Sequence, residues 1–381
     1  MKNIVFVIES LHCGGAEKSL VTLLQNIDYK NYNLDLFLVI EGGEFQKFVP
    51  KEINIKKIKT ANNPNDQNLT KRLKYRVSRF LNKKYHPAQF FWKFHRHNYK
   101  KIDKTYDIAI AYNQGFSTYF VSENIKANKK IAWMNTDYNK AGYNINFDFK
   151  FYNNFDEVVC VSNENKKSLE LALQTIDQSL PINIIQDISD EGIIQKQSLL
   201  STPFQNTEGV KNILTIGRLA SAKGLHLAIE ACSLLLKSNH NIKWYVIGEG
   251  PERKKLEKHI ERKNLQDHFI LLGYKENPYP YLKSCDIYAQ TSIFEGLGLS
   301  VIEATILNKP IVTTNFETAS TIIEHKETGL ICEMVPAEIA KSIAYFITNS
   351  DFVKKTTYNL SIRKNESTKT SLKKINKILN T

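Results

Sequence analysis

The chain has 381 residues, enough for two or three domains that each bury a core. Hydrophobic residues at 42% and charged residues at 24% describe an ordinary globular protein, and no apolar run approaches the ~20 residues that span a bilayer. The formal net charge of +13 points to anionic partners, while five scattered cysteines (Cys13, Cys160, Cys232, Cys285, Cys332) with no C-x-x-C give no zinc framework and predict reduced thiols in a cytoplasmic chain.

The first apolar run, Ile4 to Ile8, is strand-length and lacks the longer apolar region of a signal peptide. A strand is predicted over 3–8, a glycine turn at Gly14-Gly15, and a helix over 16–27 with Leu20, Leu23, Leu24 and Ile27 on one face. A strand over 34–40 completes a βαβ unit. Further strands are predicted over 54–58, 107–112, 130–134 and 157–162. Continuous apolar strands alternating with helices predict a parallel sheet covered on both faces.

Residues 70–104 interrupt this pattern with twelve Lys or Arg against the single acid Asp103. Tyr75, Phe80, Tyr85, Phe90, Phe91, Trp92, Phe94 and Tyr99 are interleaved with them. Basic residues mixed with aromatics suit an anionic membrane surface. A solvated lysine-rich insertion is the competing reading, and nucleic acid is not the expected partner.

Ser, Gln, Thr and Pro203 gather before Gly209, and 191–209 reads as a linker. It follows a first domain over 1–190 and precedes a second over 210–360, with a helical tail over 361–381. The second domain is predicted to carry strands over 212–216, 243–247, 268–272, 287–290, 310–314 and 329–332. Helices are predicted over 225–237, 252–263, 299–307, 318–325 and 336–349, with a last one over 371–379. The fold class expected is therefore α/β, with two doubly wound Rossmann-like domains facing across a cleft. Ligands in such sheets bind beyond the carboxyl ends of the strands.

Ser292 to Ala304 is the densest candidate site. Glu295 and Glu303 stand eight positions apart with Gly296 and Gly298 between them, at a predicted loop-to-helix junction. Backbone N–H groups there can approach an anion, and the helix turns its positive end toward it. Arg218 and Lys223, in the turn after the first strand of the second domain, offer a planar fork and a point charge to a phosphate. Gly14-Gly15 is the equivalent turn of the first domain, without a full G-x-G-x-x-G. Gly248-Glu249-Gly250 reads as a structural turn into a helix. No zinc-ligand spacing and no D-x-D occur, so no metal site and no cofactor are expected.

The ordered set G-G-A-E (14–17), G-R-L-x-x-x-K-G (217–224), G-E-G (248–250) and S-x-F-E-G-L-G-L-x-x-x-E-A (292–304) resembles the retaining nucleotide-sugar glycosyltransferases of family 4, bacterial surface-polysaccharide type, with the GT-B fold. The resemblance spans nearly the whole chain and is weakest over 60–105. It implies that Arg218 and Lys223 bind the donor diphosphate and that Glu295 holds hydroxyls of the donor sugar. It implies further that the N–H groups of Gly298 and Leu299 face the phosphates and that Glu303 takes the ribose. Gly273, Tyr274 and Lys275 would frame the base, and Gly15 would let the first domain close on the diphosphate. A C-terminal helix crossing back to the first domain belongs to the same pattern. The reaction implied is a front-face displacement with retention from a donor such as a UDP-sugar, without metal, to a glycan or lipid-linked acceptor.

One position departs from the pattern. Asn135 in Trp133-Met134-Asn135-Thr136-Asp137 stands where many relatives carry His. Asn donates and accepts hydrogen bonds but does not titrate near neutral pH, so it is expected to position a hydroxyl and not to act as an acid or base. A nucleotide-sugar epimerase, or a non-catalytic nucleotide-sugar-binding subunit on the same fold, is the alternative.

Overall fold

The computed structural model describes residues 1–12, 14–59, 75–79, 82, 84–204, 208–363 and 366–380. The chain forms two compact units, the first from Met1–Ile188 with Lys369–Thr381 and the second from Ser189–Thr368.

In the first unit the described strands are β1 (Lys2–Ile8), β2 (Tyr32–Leu38), β3 (Asn54–Lys57), β4 (Thr105–Ala111), β5 (Lys126–Met134), β6 (Glu157–Cys160) and β7 (Ile182–Ile184). They form one parallel sheet in the order β3-β2-β1-β4-β5-β6-β7. Residues Ile4 to Ile8 of β1 are all buried, as a central strand with both faces covered requires. The helix Gly15–Gln25 packs Leu20, Leu23 and Leu24 inward, the face its spacing predicts.

The C-terminal helix Ser367–Asn380 returns to this unit. Ile375, Ile378 and Leu379 are buried. Lys2 Nζ donates to Asn380 O at 2.6 Å, and Tyr32 OH donates to Asn380 Oδ1 at 2.6 Å. The predicted helix at 371–379 is thus four residues longer at its start.

In the second unit β8 (Lys211–Ile216), β9 (Ile242–Ile247), β10 (Phe269–Gly273), β11 (Ile287–Gln290), β12 (Ile311–Thr314) and β13 (Leu330–Cys332) form a parallel sheet in the order β10-β9-β8-β11-β12-β13. The strand order reverses between β8 and β11, which pair through Ile213–Ile287 and Leu214–Tyr288. A buried polar link crosses this seam: Trp244 Nε1 donates to Thr215 Oγ1 at 3.0 Å, and Thr215 Oγ1 donates to Ala289 O at 2.6 Å. The helix Leu225–Lys237 covers the sheet with Leu225, Ala228, Ile229, Cys232 and Leu235, a 3–4 residue repeat.

Three expectations are corrected. The segment 191–209 contains the helix Glu191–Ser198, whose Ile194 is buried in the second core, and Gln197 O accepts from Asn277 Nδ2 at 2.9 Å. Phe204 stacks on Tyr245 at 4.5 Å between ring centroids, so this stretch packs as part of the second unit (205–207 lie outside the described residues). Its few apolar side chains hide the helix from periodicity. The helix expected over 318–325 shrinks to Ala319–Ile322, because Ile323 is extended and Lys326 takes a positive φ. Finally, Phe90, Trp92 and Tyr99 of the basic segment are buried, and Tyr75, Tyr85, Phe91 and Phe94 are half-buried. Trp92 stacks on Tyr99 at 5.6 Å and Tyr75 meets Phe94 at 5.2 Å. Those rings serve internal packing at least in part, and none of the described ones is fully exposed. Phe80 and the rest of 70–74, 81 and 83 lie outside the described residues.

Candidate active site

The carboxyl ends of β8 and β11 lie side by side where the strand order reverses, and each feeds a loop. From β8 the chain runs through Gly217 and Arg218 into a 3-10 turn over Ser221–Lys223. Gly224 then adopts a left-handed φ of 59° and opens the helix Leu225–Lys237. A Cβ on Gly224 would sit 2.1 Å from Thr291 O, so only glycine lets this turn rest on the loop after β11. Ile293 N donates to Ala222 O at 2.7 Å, and Thr291 Oγ1 donates to Lys223 O at 3.1 Å. The two loops are therefore one stitched surface.

Lys223 and Glu295 meet on it. Lys223 Nζ lies 2.5 Å from Glu295 Oε1, with the two side chains 20% and 11% exposed. The same oxygen accepts from Ser292 Oγ at 2.6 Å and from Gln290 Nε2 at 3.0 Å. Gln290 Nε2 also reaches Ser292 Oγ at 2.8 Å. Its other end, Oε1, accepts from Tyr288 OH at 2.5 Å and Ser300 Oγ at 3.4 Å. Gln290, Ser292 and Tyr288 are all fully buried. Sequence reasoning missed Tyr288 and Gln290. Their only trace is polar atoms at alternate positions, 288, 290 and 292, at the carboxyl end of a buried strand.

Gly296 is buried in the same loop. Gly298, at φ 83°, caps the helix Leu299–Ile306, and a Cβ there would meet Ile322 Cδ1 at 3.0 Å. Gly298 O accepts from Val301 N at 2.9 Å and Ile302 N at 3.2 Å, while the N–H groups ahead of them at this helix start point outward, where an anion can be met. Glu303 lies on the same helix, buried, with Tyr279 OH donating to its Oε1 at 3.4 Å. Arg218 is exposed and ion-pairs with no described residue. Gly273 ends β10 and Tyr274 and Lys275 follow it; Gly273 O accepts from Gly248 N at 3.0 Å, and Lys275 Nζ lies 5.9 Å from the Tyr281 ring. The structure thus joins Lys223 directly to Glu295, sets Glu303 one helix further on, and leaves the Arg218 side chain in solvent.

Two predicted residues belong to the first unit. Gly15 is exposed at the start of the helix Gly15–Gln25. Asn135 follows β5; its N–H donates to Gln114 Oε1 at 3.0 Å and its Nδ2 to Tyr112 O at 3.3 Å. On the buried face of the helix Gly15–Gln25, Ser19 Oγ donates to Asp187 Oδ1 at 2.5 Å and lies 2.8 Å from Tyr112 OH. Burial pushes the Asp187 carboxyl up to about 7, against the lowering effect of the Ser19 hydrogen bond. Asp148 accepts from Tyr119 OH and Tyr138 OH, each at 2.7 Å, and burial still raises it to about 6. Among the described residues no group of three or more His, Cys, Asp or Glu is placed to hold a metal ion, and no helix is long and apolar enough to cross a membrane.

The two parallel-sheet units have the fold of the GT-B glycosyltransferase structures. The structure of Anabaena HepE in complex with UDP-glucose has the same fold, with a TM-score of 0.72 at 16% identity over 100% of both chains. Residues 200–362 match the family model described as glycosyl transferases group 1, and this part of the chain is a domain of that family. An uncharacterised glycosyltransferase of Methanocaldococcus jannaschii is 30% identical over 175 residues, covering 44% of this chain and 42% of that protein. The poly(ribitol-phosphate) alpha-N-acetylglucosaminyltransferase of Staphylococcus aureus is 35% identical over 119 residues, covering 31% of this chain and 24% of that protein. The chain thus aligns with less than half the length of either relative.

Proposed function

We propose that the protein is a retaining, metal-independent glycosyltransferase that moves a sugar from a nucleotide donor, a UDP-sugar in the first instance, to a glycan or lipid-linked acceptor in surface-polysaccharide assembly. The observation that carries this reading is the contact of Lys223 with Glu295 across the stitched loops of β8 and β11. A nucleotide sugar has an anionic diphosphate next to a polyol, and this pair presents a cation beside a hydroxyl acceptor. The HepE structure holds UDP-glucose, a donor of that class, and the Staphylococcus aureus relative is named for transfer of an N-acetylglucosaminyl group.

Lys has three N–H donors, and the contact with Glu295 engages one, so two remain for phosphate oxygens without breaking the pair. Arg218 supplies a second cation from solvent, and the N–H groups of Gly298 and Leu299 add dipoles. Glu303 takes the ribose, and Gly273, Tyr274 and Lys275 frame the base. Gly15 is proposed to let the first unit close on the diphosphate, and Asn135 to position a hydroxyl. In the reaction the bond from the anomeric carbon to the diphosphate oxygen breaks, and a bond to the acceptor oxygen forms on the same face. The acceptor proton passes to the departing phosphate oxygen. The charge that develops on the diphosphate is met by preplaced cations and dipoles, which is where such sites gain most.

The test is a thermal-stabilisation screen with UDP-, GDP- and ADP-sugars, followed by a transfer assay with the sugar that binds. A ligand at 100 times its Kd stabilises by about 2.7 kcal/mol. Stabilisation by one nucleotide sugar, and transfer that persists in chelator, are expected; no stabilisation by any of them sinks the reading. Attachment to an anionic membrane through the cations of 70–104 belongs to the same proposal. With the aromatics committed to packing, that attachment is electrostatic: cosedimentation with acidic vesicles at low salt is expected to vanish at about 0.5 M salt.

A further inference from the structure

Glu295 is held asymmetrically. Lys223 Nζ, Ser292 Oγ and Gln290 Nε2 all converge on Oε1, at 2.5, 2.6 and 3.0 Å. Oε2 accepts from no described residue. A carboxylate has about four lone-pair sites, and here the protein saturates one oxygen and presents the other.

Gln290 makes this possible. Its amide is 1% exposed and bonded at both ends. Were it flipped, its carbonyl would face the carboxylate and its NH2 would meet the Tyr288 hydroxyl. Tyr288 OH, donating to Oε1 at 2.5 Å, holds the productive orientation. A buried amide so held is costly to disturb, since the loss of one partner leaves another buried polar group unsatisfied.

We infer that Gln290, locked by Tyr288, is a positioning residue that fixes the Glu295 carboxylate so that Oε2 alone meets one hydroxyl of the donor sugar. The inference rests on the transferase reading and adds two residues and an atom-level selectivity to it. It implies that one sugar hydroxyl, and no second one, depends on the Tyr288–Gln290–Glu295 chain.

The experiment compares the parent chain with Gln290→Met and Tyr288→Phe, using the nucleotide sugar that the thermal screen selects (UDP-glucose is the first trial) and its monodeoxy analogues. In the parent, one deoxy donor is expected to lose at least ~10-fold in kcat/KM, the size of a lost hydrogen bond to a charged group. In Gln290→Met the full donor should fall by a similar factor while that deoxy donor is unchanged within about twofold, because the interaction it lacks is already gone. Tyr288→Phe should move the same way by a smaller factor, and it decides the matter if Gln290→Met does not fold. Equal losses on both donors, or discrimination like the parent's, overturn the positioning role. If the parent binds the donor without transferring it, the transferase reading fails, and the same comparison made on Kd still decides the role of Gln290.

Discussion

Lys223 Nζ stands 2.5 Å from Glu295 Oε1, although 72 positions of chain separate them. Both side chains are largely withdrawn from water, so neither is a surface charge whose loss would pass unnoticed. Lys223→Ala and Glu295→Ala are expected to lower transfer by about 100-fold or more while leaving circular dichroism unchanged. The double variant should lose less than the sum of the two, because each single change already breaks the shared contact. Kinetic constants for all four chains check this; strict additivity would mean that the two residues act separately.

Arg218 gives the opposite balance of stability and activity. It is exposed and lacks an ion-pair partner among the described residues, so Arg218→Ala should alter stability by less than about 0.5 kcal/mol. Donor binding should weaken, by about 1.5–3 kcal/mol for a charge-assisted bond to phosphate, and Arg218→Lys should recover only part of it. Urea midpoints alongside titration with the donor separate the two effects.

Gly224→Ala tests the stitched loops. A Cβ there faces both a φ of 59° and the Thr291 carbonyl at 2.1 Å. A loss of about 2–4 kcal/mol is expected from the left-handed backbone and the overlap together. Gly209→Ala is the control: its φ is 77°, but a Cβ would meet nothing within 4 Å, so only the backbone contribution of about 1–2 kcal/mol remains. Chemical denaturation of both variants reads the difference.

Asp187 and Asp148 make a pH prediction. Burial raises their carboxyls to about 7 and about 6, above the ordinary 3.8 they regain on unfolding. A raised carboxyl contributes stability that is fully present below about pH 4 and is lost as pH rises through the folded value, since only the unfolded chain ionises in that window. Each pKa unit corresponds to about 1.4 kcal/mol. The parent should therefore lose stability between about pH 4 and pH 7 relative to Asp187→Asn and Asp148→Asn, with little further change above. Melting temperatures of the three chains across pH 4 to about 8 check the slope; parallel curves would place both carboxyls near their ordinary values.

The site was legible in the sequence where chemistry needs a rare residue type at a fixed spacing. Lys223, Glu295 and Glu303 stand out because glycine turns flank charges at strand ends, and the strands of both sheets other than β7 stand out as short runs rich in apolar residues. Gln290 and Tyr288 did not, because a polar atom inside an apolar strand gives no sign of whether a partner waits for it. The helix Glu191–Ser198 was hidden by its composition, since a helix that buries little more than Ile194 has no periodic stripe to read. The rings between Tyr75 and Tyr99 misled in the other direction: sequence shows which aromatics lie near cations, while burial decides which of them can touch anything else. β7, three residues long at the edge of its sheet, is too short to rise above loop composition.

The return of Lys369–Thr381 to the unit that begins at Met1 has a consequence for synthesis. A chain made from its N-terminus exposes everything the second unit needs before the first has received its final helix. Folding on the ribosome is thus expected to finish out of order, with the later-made half settling while the earlier-made half waits with the apolar strip beneath Ile375, Ile378 and Leu379 still bare. A stop codon just after position 366 would strand the protein in that unfinished condition, so a lesion in the helix Ser367–Asn380 should surface as insolubility of the part that was translated first.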